Sequence, residues 1–496
     1  MEKTGGLGVV NNKIVRDQDI SNIKADEPSV KWCSVSLSDV ISRGKRLEAS
    51  VFDVEAKQAR QIIKNSKFPS TTIGGENGLT TSYTCARFKR IWIEHSDLPI
   101  YQPSTIVDIK PTPDGYISHL TQTNIDALRV SKGQILMTCS GTIGKVTYVS
   151  DTLDNKVFSH DLLRIDCKNP VDQGYIYTYL KSKVGNKILL TNSYGAVITH
   201  IESEHFASIP IPDAPNEIKK RIHNLIVDSY KLREESNTLI DQATALLVEE
   251  LELPSLSELK QNNIKNDASV NAFSVKLSDM FGRADASYHL PVVDAIVQHL
   301  KKHAEEVTII GDKRISKQII LAGVFKRTYV GEEYGYPFLG GKEITQLNPK
   351  TEKYLSKPIH KKRYEKELKV TENTILVTDR GTIGTTTLVP RHWNGYAVSQ
   401  NVLKLIPASD DIAGYIYIFL NSEWGTELVR RQTYGSVVDM IDNNSLASVE
   451  IPLLKNQDIQ EQINLLALKS NEKRYEAYLL EQEALRIMDE EVIYAK

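Results

Sequence analysis

The sequence predicts an α+β protein: two tandem mixed α/β domains, each followed by a long helix, with the two helices pairing as an antiparallel coiled coil. Three observations predict it. Short motifs recur at one fixed distance: Gly141-Thr142-Ile143-Gly144 returns as Gly381-Thr382-Ile383-Gly384, Gly174-Tyr175-Ile176-Tyr177 as Gly414-Tyr415-Ile416-Tyr417, and Tyr194-Gly195 as Tyr434-Gly435, each 240 residues on. A period of this length marks a duplicated domain rather than a solenoid unit. Each copy has a β-rich stretch broken by Gly, Pro and Asn. Each copy ends in a coiled-coil seam with helical spacing, interrupted by small and polar residues.

Taken in order, residues 1–31 form an N-terminal arm without an uninterrupted apolar run, so no secretory signal is expected. The first domain, 32–213, opens on Ser34-Val35-Ser36-Leu37-Ser38-Asp39, echoed by Ser274-Val275-Lys276-Leu277-Ser278-Asp279 in the second domain, 271–452. Helical patterns follow, ending near Lys64 and Lys302. The clearest strands are Gln134–Thr138 and Thr374–Thr378, each running into Gly-Thr-Ile-Gly. Across residues 135–150 and 375–390, nine of sixteen positions are identical. The glycines of that motif suit a tight turn, the Thr a bond to its own backbone and the Ile a place in the core. A helix from about Tyr175 or Tyr415 and a short strand ending at Ile211-Pro212 or Ile451-Pro452 close each domain.

Residues 214–253 and 453–496 are the long helices. Ile218, Ile222, Leu225, Ser229, Leu232, Ser236, Leu239, Ala243, Leu246 and Glu250 step by 4 and 3 alternately, as do Ile459, Ile463, Leu466, Ser470, Lys473, Ala477, Leu480, Ala484, Ile487 and Glu491. One long seam needs a partner, and the matching helix of the other copy is the nearest. Leu225, Leu232, Leu239, Leu466 and Leu480 are the expected helix-pairing residues, with the helices acting as a spacer about 50 Å long. The alternative is that each helix lies on its own domain. Residues 254–270, with Pro254 and Asn262-Asn263, read as a linker.

The chain has 496 residues, 41% hydrophobic and 25% charged, the profile of a globular protein with sizeable cores. No apolar run approaches the roughly 18 residues of a membrane span, and a cytoplasmic protein is expected. The four cysteines, Cys33, Cys85, Cys139 and Cys167, are far apart and read as free thiols. No metal-ligand cluster is visible. Net charge is −2, which argues against a general polyanion binder. The distribution is more informative. Residues 32–213 carry 20 Lys+Arg against 18 Asp+Glu, and residues 271–452 carry 23 against 21. Residues 214–253 carry 5 against 8, and residues 453–496 carry 6 against 9. The acidic excess is confined to the helices, which leaves the domains free to meet an anion.

Catalytic grammar is missing. Gly-Thr-Ile-Gly-Lys at 141–145 lacks the spacing of a phosphate loop. There is no nucleophile elbow, His-Glu-x-x-His or dinucleotide fingerprint. Lys342 and Glu343 are adjacent, but the first copy has Ser104 and Thr105 in that place. No catalytic and no metal-binding residues are therefore assigned.

Candidates for contact come instead from paired cations. Phe88-Lys89-Arg90 and Phe325-Lys326-Arg327 occupy corresponding places, and a cation pair beside an aromatic suits phosphate contact or stacking. A half-exposed strand with solvated charges is the competing reading. In the second copy Lys361, Lys362 and Arg363 fall in a run with Lys357, Lys366 and Lys369. Their counterpart in the first copy is less basic and offers Gln122 and Asn124. The stretches 65–125 and 303–365 diverge while the scaffold repeats, as suits two modules with different specificities.

Together these features resemble the specificity subunits of Type I restriction–modification systems. The resemblance runs from about residue 32 to the C-terminus. It rests on the order domain, helix, domain, helix; on Ile-Leu-x-Thr-x-x-Gly-Thr-Ile-Gly at 135–144 and 375–384; and on Ile-Pro at 211–212 and 451–452. The family's usual Gly-Asp before Ile-Leu is here Gly133-Gln134 and Asn373-Thr374. The resemblance implies two target-recognition domains, each reading half of a split double-stranded DNA site. It implies a helical rod on which DNA methyltransferase subunits dock, with a restriction/translocase subunit joining for cleavage. S-adenosylmethionine, ATP and Mg²⁺ would then belong to the partners, and this chain would bind no cofactor and carry no catalytic residue. The competing function is a non-catalytic coiled-coil interaction scaffold with duplicated binding domains.

Overall fold

The computed structural model of the chain describes residues 34–42, 45, 49–195, 199–263, 273–280, 282–349, 353–435 and 437–495. The arm at 1–31 and the stretch 264–270 lie outside the described residues.

The two bodies repeat one strand topology. The first contains β1 (Ser70–Thr72), β2 (Thr80–Tyr83), β3 (Trp92–Ile93), β4 (Pro99–Tyr101), β5 (Gly115–Ile117), β6 (Ile135–Thr138), β7 (Val146–Tyr148), β8 (Val157–Phe158), β9 (Leu162–Cys167) and β10 (Pro210–Pro212). The second contains β11 (Glu306–Ile309), β12 (Ser316–Ile320), β13 (Tyr329–Val330), β14 (Gly335–Leu339), β15 (Tyr354–Ser356), β16 (Ile375–Thr378), β17 (Thr386–Leu388), β18 (Ala397–Val398), β19 (Val402–Pro407) and β20 (Glu450–Leu453). The first body orders its sheets β2-β9-β6-β7 and β3-β5-β4-β8, with a ribbon β1-β10; the second has β12-β19-β16-β17, β13-β15-β14-β18 and β11-β20. Even the parallel pair recurs, as β4 with β8 and β14 with β18.

Gly-Thr-Ile-Gly is the hairpin turn between β6 and β7 and between β16 and β17. Gly141, Gly144, Gly381 and Gly384 have φ of 69°, 84°, 74° and 87°, a region that disfavours residues with a Cβ. Ile143 and Ile383 are buried. The backbone bond comes from a different threonine than expected. Thr138 and Thr378, at the strand ends, accept from Lys145 N at 3.0 Å and Thr385 N at 3.1 Å. Gly174 and Gly414 serve close approach instead: a Cβ there would lie 2.5 Å from His223 Cα and 2.4 Å from the Asn464 carbonyl oxygen, both on the long helices. The following tyrosines tie each helix to its closing strand, Tyr175 to the Pro212 carbonyl at 2.6 Å and Tyr415 to that of Pro452 at 2.7 Å.

The long helices, Asn216–Glu250 and Gln457–Ile487, form one rod. Their lengths are about 52 Å and about 46 Å at 1.5 Å per residue. Contacts between them run in opposite directions: Arg221 meets Glu491 at 2.8 Å, Ser229 meets Ala477 at 2.7 Å, and Glu235 meets Lys473 at 3.3 Å. The pairing is antiparallel. Its centre line is Ile222, Ser229, Ser236 and Ala243 against Ile463, Ser470, Ala477 and Ala484, all buried. Leu225, Leu232, Leu239, Leu466 and Leu480 are only half-buried, which corrects their expected place at the centre. Small side chains let the two backbones approach closely, and the leucines are left at the rim. There Leu225 and Leu466 pack against the bodies.

Each helix leaves its own body and ends in the core of the other. Ile240, Ala243, Leu247, Leu251 and Leu253 join the second body's core. Ala484, Ile487, Met488, Val492 and Ile493 join the first body's core. Part of the expected linker is packed as well: Leu256–Asn263 is a short helix, Leu259 is buried in the second core, and the Pro254 carbonyl accepts from Trp424 Nε1 at 2.9 Å. No helix among the described residues is long and apolar enough to cross a membrane.

The bodies also touch directly, so the rod alone does not hold them apart. Ile109 N donates to the Thr345 carbonyl at 2.9 Å, Thr345 Oγ1 donates to Asp108 at 2.7 Å, and Asp108 bridges Gln346. The turns at 103–110 and 341–348 occupy the same place in the two copies, so this contact is close to two-fold symmetric.

Candidate nucleic-acid interface

In each body the Phe-Lys-Arg segment carries the chain from the first sheet to the second, between β2 and β3 or between β12 and β13. Apolar packing fixes the phenylalanine. Phe88 sits edge-on to His160 at 5.2 Å and Phe325 edge-on to His360 at 5.4 Å. With the ring anchored, Lys89 and Lys326 point outward and are exposed. The arginines turn back. Arg90 donates to Ser159 Oγ at 2.6 Å and reaches Asp161 at 3.5 Å. Arg327 lies over the Phe338 ring at 5.5 Å and lines a cleft between the bodies.

The remaining candidates pack beside these segments. In the first body Ile91 N donates to Thr121 Oγ1 at 3.4 Å and Ser118 N to the Ile91 carbonyl at 2.9 Å. Gln122 and Asn124 are exposed on that neighbouring loop. Asn124 Oδ1 accepts from Asp126 N at 3.1 Å and Ala127 N at 3.3 Å, so it also starts the short turn that follows. In the second body His360 Nε2 accepts from Thr328 N at 3.1 Å, which fixes the helix Lys357–Arg363 against Lys326. Lys361 and Lys362 are exposed on that helix. Arg363 is not free: it pairs with Glu367 at 2.7 Å, donates to the Gly323 carbonyl at 3.1 Å and covers the Phe325 ring at 5.0 Å.

The structure therefore divides the candidates. Lys89, Gln122 and Asn124 share one outer region of the first body, and Lys326, Lys361 and Lys362 share one of the second. Arg90 and Arg363 brace their own bodies. Sequence reasoning missed Trp92, which stands 48% exposed on β3 close in sequence to Lys89. A large exposed ring beside a cation suits stacking on a base. Its only sequence signal was its place two residues after Arg90.

A second feature escaped the helical pattern. Glu481 is fully buried where the rod meets the first body, and accepts from Tyr177 Oη at 2.7 Å and Arg233 at 2.9 Å, with Lys181 as a third partner. Burial works to raise its carboxyl, but the charges of Lys181 and Arg233 and the Tyr177 hydroxyl more than reverse this and hold it at about 2. At the contact between the bodies, burial raises Asp108 to about 6 against the opposing Thr345 bond and Lys145 charge.

Among the described residues no group of three or more His, Cys, Asp or Glu side chains is placed to hold a metal ion. Cys85, Cys139 and Cys167 are free thiols, and Cys33 lies outside the described residues.

The family model described as "Type I restriction modification DNA specificity domain" matches residues 30–242 and 324–478. Among solved structures, the chain is similar to the Type-I restriction-modification system S subunit from M. genitalium, with 15% identity over 86% of this chain and 95% of that one and a TM-score of 0.32. It is also similar to the HsdS subunit from Thermoanaerobacter tengcongensis, with 12% identity over 84% and 98% of the two chains and a TM-score of 0.26. No curated protein matches the chain.

Proposed function

The chain belongs to the Type I restriction modification DNA specificity family, and from that premise we propose that its two bodies each read one half of a split target in duplex DNA. The observation that carries this reading is the repetition of one strand order with different outward side chains at matching places. Lys89, Gln122 and Asn124 in the first body stand where Lys326, Lys361 and Lys362 stand in the second. Lysines meeting phosphate set position, while amide side chains and Trp92 meet bases. The rod and the turns at 103–110 and 341–348 set the distance between the two contacts.

On this reading the chain supplies the address and its partners supply the chemistry. DNA methyltransferase subunits dock along the rod and bring S-adenosylmethionine. A restriction/translocase subunit brings ATP and Mg²⁺. The chain itself binds none of these cofactors and catalyses no step, and the complex acts in the cytoplasm.

The test is an exchange of residues 303–365 for those of a relative, keeping 340–348 so that the contact with the first body survives. Methylated bases are then mapped genome-wide. One half of the recognised sequence changes and the other stays. A change in both halves, or a single undivided native target, refutes the reading.

A further inference from the structure

Between the two bodies, alongside the rod, lies a cleft of about 420 Å³. Its walls come from three sources: the first body's Thr142–Lys145 turn, the rod at Tyr230 and Arg233, and the second body around Arg327, Phe338 and Asn401. The charged lining is Lys145, Lys181, Arg233, Arg327 and Lys353 against the carboxylate of Glu343. Glu481, buried behind the wall, neutralises part of this by holding Lys181 and Arg233. Glu343 is engaged too, accepting from Gly340 N at 2.9 Å.

Arg327 has no carboxylate within ion-pair distance among the described residues, and the duplication shows why. In the first body its counterpart Arg90 is matched by Ser159 at 2.6 Å and Asp161 at 3.5 Å. The second body keeps the same local turn: Asp161 N donates to Ser159 Oγ at 3.3 Å, and Asn401 N donates to Ser399 Oγ at 3.2 Å. The carboxylate of the first copy has become the neutral amide of Asn401, 240 residues on. Arg327 thus keeps its charge and loses its counter-charge; its Nε, like that of Arg90, is buried without an acceptor among the described residues. Arg233 Nε, on the rod side of the cleft, is likewise buried without an acceptor among them. Buried donors of this kind are uncommon, and each costs free energy until an acceptor reaches it.

We propose that this cleft binds a small phosphorylated anion of nucleotide size between the two bodies. Phosphate oxygens satisfy the Arg327 guanidinium and meet the Lys145 ammonium. Gln346, Asn348 and Asn401 offer amide groups. The volume falls within the roughly 300–1,000 Å³ of small-molecule sites and is far too small for a duplex. Because the ligand touches both bodies, its binding favours the contact between Asp108 and Thr345.

The test is calorimetric titration of the full-length chain with ADP, and separately with inorganic pyrophosphate. Both bind the wild type, ADP more tightly because the amides engage its nucleoside. Asn401→Asp restores the first copy's neutralising carboxylate and weakens both about tenfold or more. The first body shows that this arrangement folds, and an unchanged melting temperature checks it; Arg327→Gln gives the same loss from the other side of the pair. Asp161→Asn, outside the cleft, leaves the affinity unchanged. The proposal is overturned if neither probe binds at millimolar concentration, or if both bind Asn401→Asp as tightly as the wild type. It is equally overturned if the substitution weakens only the binding of a short duplex, since the charge then serves the DNA backbone.

Discussion

The Ser229 hydroxyl donates a 2.7 Å hydrogen bond to the Ala477 carbonyl, from the middle of one rod helix to the backbone of the other. A side chain as short as serine can reach a neighbouring helix backbone only where the two helices nearly touch. This makes the middle of the rod sensitive to volume.

Ser229→Leu is expected to destabilise the full chain by about 1–3 kcal/mol through overpacking, with loss of the cross-helix bond in addition. Leu232→Ala, at the half-buried rim, costs less. Urea unfolding of the two variants provides the comparison, and a larger loss for Leu232→Ala would contradict the close-packed centre.

Glu481→Gln leaves the half-buried Lys181 and Arg233 without their counter-charge at a fully buried position, and is expected to cost about 3 kcal/mol. The wild-type carboxyl is held at about 2, below its ordinary 4.5. A lowered folded-state value means that its stabilisation is complete above about pH 4.5 and is lost as the pH falls toward 2. Thermal unfolding between pH 6 and 2 should therefore show an acid-dependent loss that is absent in the variant.

Asp108 has the opposite sign. Its carboxyl is raised to about 6, so the folded state holds the proton more tightly, and the contribution present at low pH is lost as the pH rises through 6. Asp108→Asn keeps a neutral acceptor facing Thr345. It should raise the melting temperature relative to wild type at pH 7.5, and the gain should vanish near pH 4.

Charge reversal at Lys326 and Lys361 is expected to weaken binding to every duplex. The slope of log affinity against log salt should fall by about one for each phosphate that the chain no longer neutralises. Arg90→Ala should instead lower the first body's melting temperature, because Arg90 is tied to Ser159 and Asp161. Binding titrations at several salt concentrations separate the two behaviours.

Inserting one heptad into both helices, between Ser236 and Ala243 and between Ser470 and Ala477, keeps the seam in register and adds about 10.5 Å to the rod. The half-sites should move apart by about three base pairs at 3.4 Å each. Methylation mapping shows whether the halves themselves stay unchanged. Removing a heptad would drive the turns at 103–110 and 341–348 into each other.

Much of this architecture was legible in the sequence, for identifiable reasons. Glycines in Gly-Thr-Ile-Gly and Gly-Tyr-Ile-Tyr survive duplication because a turn and a helix contact exclude a Cβ, so they mark the period clearly. The alternating steps of 4 and 3 located both helices. The seam's centre was misassigned because hydrophobicity favours leucine, whereas the deciding quantity was the volume of Ser229, Ser236, Ala477 and their neighbours. Glu481 was passed over because its partners, Lys181 and Arg233, lie on two other elements. Spacing could place Lys326 and Arg327 side by side, but not turn one outward and the other into a cleft. The contact between Asp108 and Thr345 joins residues 237 apart, and no local pattern records it.

The exchange of helix ends also orders events during synthesis. Met488, Val492 and Ile493 belong to the first body's core, and Ser66 Oγ donates to the Val492 carbonyl at 2.9 Å. The ribosome makes the strands of that body long before it reaches these residues. At about 5–20 residues per second, the first body waits tens of seconds for its closing segment. Until that segment emerges, the apolar face meant for it is open to chaperones and to other nascent chains. A premature stop near residue 485 therefore does its damage at the beginning of the protein, by leaving the first body unsealed.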